Sequence, residues 1–206
     1  RSVSRGLGDV YKRQGIDCGT GIGPMMEAAR MIALSGAKPK RTILFVAFAG
    51  EEFGLLGAKA YVKTHAKELG KIANLFNRDG GPTPPVGISV PQAMYDDFVE
   101  VCKPVKEIRA DYPFEVKVAK PFKRPTQSGG TDASVFAVEG VPTFGFNTQD
   151  IKGYNFSYGE IWHTERDLYT KNIPEYQEHA ATVTAVVALG IANLSKQLSR
   201  EGMHKK

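Results

Sequence analysis

Arg41-Thr-Ile-Leu-Phe-Val-Ala-Phe-Ala-Gly-Glu-Glu-Phe-Gly-Leu-Leu-Gly-Ala58 is the stretch on which the fold turns. Its first part, Thr42 to Ala49, is an unbroken apolar run rich in strand-favouring residues, which predicts a strand buried on both faces of a parallel sheet. Gly50 ends the run, two glutamates follow, and Leu55 to Leu69 returns to helical spacing. Upstream, Ile22, Met25, Met26, Ala29, Ile32 and Ala33 recur at three- and four-residue intervals, with Pro24 in the first turn and Gly36 past the end, so an amphipathic helix is expected there. Downstream, Ile72 to Phe76 is a short apolar strand before the turn-forming Asp79-Gly80-Gly81-Pro82. Strands alternating with helices predict an α/β fold, a three-layer sandwich around a mixed, largely parallel sheet.

The remainder continues the alternation, with a helix over Gln92–Cys102, a strand over Phe114–Val118, a helix over Asp132–Val138 and a strand over Thr143–Phe146. Asn147 to Thr164 reads as a long loop. Pro174 then opens a helix whose face carries Tyr176, Ala180, Val183, Val187, Ile191 and Leu194, with His179 as a bystander. Residues 1–14 show no periodicity and look like translated adapter sequence or a disordered basic arm, so the fold is expected over residues 15–199 with a tail at 200–206.

Composition removes several partners. The net charge is +5, of which residues 1–14 carry +3, and no stripe of Lys and Arg interleaved with aromatics exists, so nucleic acid is not an expected partner. No apolar run approaches the ~18 residues that cross a bilayer, so no membrane span is expected. Cys18 and Cys102 make neither a zinc-finger spacing nor a disulfide framework and read as free thiols.

Chemistry concentrates where ligands bind in open parallel sheets, beyond the carboxyl ends of strands. Glu51 and Glu52 follow the strand ending at Ala49, Asp79 follows the strand through Phe76, Asp17 precedes the Gly-rich entry to the first helix, and His163 stands in the long loop. Each has a plainer reading taken alone: a helix-dipole partner, a turn residue, a turn starter, a surface histidine. Jointly, three carboxylates and an imidazole at loop positions are the donor types of a Zn²⁺ site.

On these residues the chain resembles the two-zinc exopeptidases that include bacterial leucyl aminopeptidases and glutamate carboxypeptidases, most closely the plasma glutamate carboxypeptidase group, from about Gly15 to Ser199. The strand, the Glu-Glu pair and Gly54-Leu-Leu-Gly57 carry the resemblance. It implies Asp17 as a carboxylate bridging two ions, Glu51 as general base acting on a metal-bound water, and Glu52 and His163 on one ion with Asp79 on the other. Asp132 falls where the family has an acid near the site, and Asp167 is expected to orient the His163 loop. Arg78, Arg124, Tyr154, Tyr158 and Trp162 are either pocket-lining side chains or ordinary surface and packing residues. Cys18 stands where the family has Asp, and the family's upstream His-x-Asp ligand has no counterpart before His65, which reads as truncation. The resemblance further implies a peptide substrate, two Zn²⁺ per intact domain, an impaired fragment, a periplasmic or secreted location and room for a homodimer. A single-zinc glutaminyl cyclase and a non-catalytic interaction domain of the same fold are the alternatives.

Overall fold

The computed structural model describes residues 14–205; the expectation that residues 1–14 stand apart from the fold lies, for residues 1–13, outside the described residues. In chain order the elements are α1 (Gly19–Leu34), α2 (Leu56–Thr64), β1 (Leu75–Phe76), β2 (Pro85–Pro91), α3 (Tyr95–Ile108), β3 (Glu115–Ala119) and β4 (Phe122–Lys123). Then come α4 (Asp132–Val138), β5 (Thr143–Phe144), β6 (Phe146–Thr148), α5 (Tyr158–Ile161), α6 (Pro174–Asn193) and β7 (Met203–Lys205). The fold is mixed α/β, as the alternation implied: β1 pairs parallel with β5, β2 lies between parallel β3 and antiparallel β6, and β4 pairs parallel with β7.

The main core joins β2, α3 and α6. Ile88 and Val90 of β2, Phe98 and Val105 of α3, and Val183 and Val187 of α6 are all fully buried in it. α6 follows its predicted face, burying Tyr176, Ala180, Val183, Val187 and Ile191. His179 on the same helix is completely buried, its Nε2 bonding the Pro85 carbonyl at 2.8 Å and its ring stacked on Tyr112. A second cluster gathers Ala58 and Val62 of α2 with Val135 and Phe136 of α4, and Phe48 packs against it.

Several elements differ from the sequence reading. Thr42 to Ala49 makes no backbone ladder with any described residue, and Leu44 and Val46 are 68% and 38% exposed. A strand is buried on both faces only when neighbours flank it and helices cover both sides; no described strand flanks this one, so its alternate side chains meet water. It is anchored at its start, where the Arg41 guanidinium donates to the carbonyls of Ala192 and Leu194. β2 escaped the reading because prolines bound it at both ends, although it is the central strand of its sheet.

α3 runs to Ile108, past both its expected end at Cys102 and the interior Pro104. Burying Val101, Cys102 and Val105 at about 1.5–3 kcal/mol for each large side chain outweighs the ~3 kcal/mol of an interior proline. α2 stops at Thr64, and Leu69–Lys71 forms a separate 3₁₀ turn. Of the strand expected over Ile72–Phe76 only Leu75–Phe76 is paired, and Thr143–Phe146 splits between two sheets. Among the described residues no helix is long and apolar enough to cross a membrane.

Candidate metal centre

Four chain segments converge at one corner. The Glu51–Glu52 pair sits on a tight turn in which the N–H groups of Gly54 and Leu55 donate to the Glu51 carbonyl at 2.9 and 2.8 Å. Gly57 then donates to the Ala49 carbonyl at 2.8 Å, and a Cβ on Gly57 would stand 2.6 Å from that oxygen. Only glycine lets α2 start so close to the end of the apolar stretch. Because α2 begins at Leu56 with no acid in its first turn, the glutamates are not helix-dipole partners.

Asp17 lies just before α1, 6% exposed, and is held through its backbone. The N–H groups of Ile16 and Asp17 donate to the two carboxylate oxygens of Asp167 at 2.6 and 3.1 Å. Asp79 follows β1 on a segment tied to α1 by Arg78, whose guanidinium donates to the carbonyls of Thr20 and Thr83 at 3.1 and 3.2 Å. Burial pulls the Arg78 pKa down to about 10, so it remains a cation at neutral pH. His163 is delivered by the turn after α5 with φ +54. The ring of Trp162 leans on it, 4.3 Å between centroids.

The side chains of Asp17, Glu52 and His163 each offer a ligand atom, and these atoms all lie within 4.8 Å of one another. His163 Nε2 stands 2.8 Å from Glu52 Oε2 and 3.9 Å from Asp17 Oδ2. Ligands at about 2.0–2.2 Å around a tetrahedral Zn²⁺ are about 3.3–3.6 Å apart, so the observed separations straddle what one ion needs. One imidazole and two carboxylates also match zinc's donor chemistry.

The charges agree with that fit. Burial raises the Asp17 pKa, while the nearby Tyr158 hydroxyl and His163 hold it down. Glu51 is pushed up to about 7, first by burial and then by Asp79, Glu52, Asp132 and Asp17. Asp79 rises to about 6 for the same two reasons, Asp17 being its strongest charged neighbour. Glu52 and Asp132 are raised by burial as well. Carboxylates that each make ionisation harder for the next form a negative corner, and a divalent cation is the group that relieves it.

Of the residues expected from sequence, Asp17, Glu52 and His163 form the three-donor group, whereas Glu51, Asp79 and Asp132 are its charged neighbours. Asp167 bonds the Ile16–Asp17 backbone, and Trp162 is 45% exposed against His163. Arg124 donates to the Val138 carbonyl and Tyr154 to Glu175, both packing roles. Tyr158 was not separated from these pocket candidates in the sequence, yet its hydroxyl sits by Asp17 and its ring lies under Gly80. No periodicity marks a tyrosine that reaches its site from a short helix in a loop. Cys18 is drawn into the same corner, and burial with the surrounding carboxylates pushes its thiol up to about 12.

Known proteins resemble this chain in sequence and in fold. Mouse carboxypeptidase Q is 28% identical over 185 residues, which is 90% of this chain and 36% of the relative. A peptidase M28 precursor from Shewanella amazonensis superposes with a TM-score of 0.70 at 29% identity, over 89% of this chain and 39% of that one. A zinc aminopeptidase from Bacillus subtilis shares the fold, with a TM-score of 0.61 at 22% identity over 92% of this chain and 45% of its own. This chain therefore spans under half the length of these relatives. Residues 8–187 match peptidase family M28, and the chain belongs to that family.

Proposed function

We propose that the protein is a zinc-dependent exopeptidase or dipeptidase that hydrolyses peptide bonds at chain ends. The observation that carries this reading is the meeting of Asp17, Glu52 and His163 donor atoms within 4.8 Å, with Glu51 next in sequence to one of them. Asp17, Glu52 and His163 would hold the ion, with Asp79 close enough to Asp17 to belong to a second one. When bound, zinc supplies positive charge that polarises the peptide carbonyl and acidifies water.

The chain's own groups supply the rest. Glu51 is only half-buried, so one carboxylate oxygen can take a proton from the attacking water and pass it to the leaving nitrogen. Neighbouring acids keep its proton affinity high, which suits a group that must accept a proton and then release it. Tyr158 and Asp167 keep Asp17 in place from opposite sides, one at its carboxylate and one at its backbone. Trp162 lies beside His163 and excludes water from one side of the ring.

Zinc titration of metal-free protein against a chromophoric chelator, together with release of free amino acids from a dipeptide panel, tests the reading. Tight binding that is markedly weakened, though still measurable, in Asp17→Ala, Glu52→Ala and His163→Ala is expected. Equal zinc binding by all three variants would sink it. A three-donor group suits one ion, and that favours, as a second reading, the single-zinc glutaminyl cyclase. Formation of pyroglutamate from an N-terminal glutamine, without amino acid release, would select it.

A further inference from the structure

Asp167 is 5% exposed, and its carboxylate bonds no cationic side chain among the described residues. Its two oxygens are taken instead by the N–H groups of Ile16 and Asp17, and its own carbonyl accepts the Gly15 N–H at 3.3 Å. Residues 15–17 thus run directly against residues 167–169. The approach is so close that a Cβ on Gly15 would stand 2.3 Å from Tyr169 N and 2.4 Å from the Leu168 carbonyl carbon.

The other end of this contact is His163, four residues back. The turn between them is closed by Thr164 N–H to Ile161 carbonyl at 3.0 Å, Asp167 N–H to Thr164 carbonyl at 3.2 Å and Arg166 N–H to Thr164 Oγ1 at 3.2 Å. Asp17 and His163 are therefore joined by one hydrogen-bonded path that passes through a buried carboxylate. Electrostatic help to Asp17 is not its purpose, because a second negative charge beside Asp17 makes ionisation of Asp17 harder.

Resting on the metal reading above, we propose that Asp167 is a positioning residue that sets the separation of Asp17 and His163, holding the two candidate ligands at the spacing one ion requires. It does so from the backbone side of Asp17 and touches neither ligand atom. Its N–H ties it to the His163 turn, as the sequence suggested, and its carboxylate carries that tie on to the opposite segment.

Zinc affinity, read by chelator competition and by the visible absorption of Co²⁺ in the same site, tests this without recourse to turnover. Asp167→Asn is expected to weaken zinc binding about 10–100-fold and to alter the Co²⁺ spectrum. Asp167→Glu, which keeps both acceptor oxygens, should recover part of the loss, and Gly15→Ala should reproduce it. In an Asp17→Ala background, Asp167→Asn should change the remaining affinity by no more than about 2-fold, because the residue it positions is gone. Val183→Ala, in the distant core, serves as the control for a general loss of stability.

Three results overturn the proposal: parent-like affinity in Asp167→Asn, the same fold-loss with and without Asp17, or an equal loss in Val183→Ala at a matched drop in Tm. A parent protein that holds no zinc sinks the metal reading itself and this proposal with it. A parent that holds zinc while Asp167→Asn is unchanged sinks the positioning role alone.

Discussion

The two histidines His163 and His179 belong to two differently built halves of the molecule. His179 stands on α6, completely buried, with the Pro85 carbonyl on Nε2, the Tyr112 ring on one face and Val183 one turn further along its helix, while its Nδ1 has no hydrogen-bond partner among the described residues. His163 stands on a turn with positive φ, among carboxylates that raise one another's pKa. The core half holds its histidine by packing and one hydrogen bond, whereas the loop-built corner keeps unfavourable charge that a ligand can discharge. Fold stability and function are thus assigned to different residues, and each assignment can be attacked separately.

The largest expected effect falls on turnover alone. Glu51→Gln removes the proposed proton acceptor while leaving Asp17, Glu52 and His163, so kcat should fall about 10²–10⁴-fold with zinc content unchanged. Metal analysis beside a kinetic assay checks it. Loss of zinc together with activity would make Glu51 a ligand and dissolve the distinction between it and Glu52.

Next comes the core. Phe98 is fully buried between α3 and Phe144, and Phe98→Ala should destabilise the fold by about 3–5 kcal/mol in urea unfolding. Zinc affinity of the fraction still folded should match the parent. If instead the affinity falls with stability, the two halves are mechanically one and the comparison fails.

Legibility in the sequence divides along the same line. The α6 face could be read because a helix that packs on one side repeats its apolar positions, and Asp132–Val138 was bounded correctly by the same periodicity. Asp17, Glu52 and His163 were legible as donor types at loop positions, though their spacing in the chain says nothing of distances in space. What escaped has a physical reason in each case. The burial of Thr42–Ala49 depends on neighbours rather than on its own residues, so an apolar run alone overstated it. β2 hides behind Pro85 and Pro91, and the Asp167 contact is made with backbone N–H groups, which leave no side-chain signature.

Zinc should couple the two halves thermodynamically while leaving the core's packing alone. An ion that binds only the folded corner adds RT ln(1 + [L]/Kd), about 2.7 kcal/mol when free zinc is 100 times Kd. Thermal melts with and without zinc should show that gain in the parent and in Phe98→Ala alike. The gain should vanish in His163→Ala, and an undiminished zinc shift in that variant would place the ion elsewhere.

The smallest expected effect is a pH dependence that belongs to the core histidine. Burial lowers the pKa of His179 below its ordinary 6.5, and Arg109 and Arg78 act in the same direction, against the Pro85 carbonyl and Asp111. The folded protein therefore keeps this ring neutral after the unfolded chain has begun to take up a proton. With more protons bound to the unfolded state at this site, the contribution of His179 to stability must fall as pH drops below about 6.5, by up to about 1.4 kcal/mol per pH unit until the folded ring titrates. Above that value the histidine contributes no slope. The raised carboxylates of the metal corner, Glu51 and Asp79 foremost, act with the opposite sign over the same range, so the histidine's part is read as a difference: in urea unfolding from pH 7.5 down to 5 with chelator, the parent should lose stability relative to His179→Gln. A difference between parent and His179→Gln that stays constant from pH 7.5 to 5 would mean that the buried ring accepts its proton at little cost, and the contrast between His179 and His163 would lose its electrostatic half.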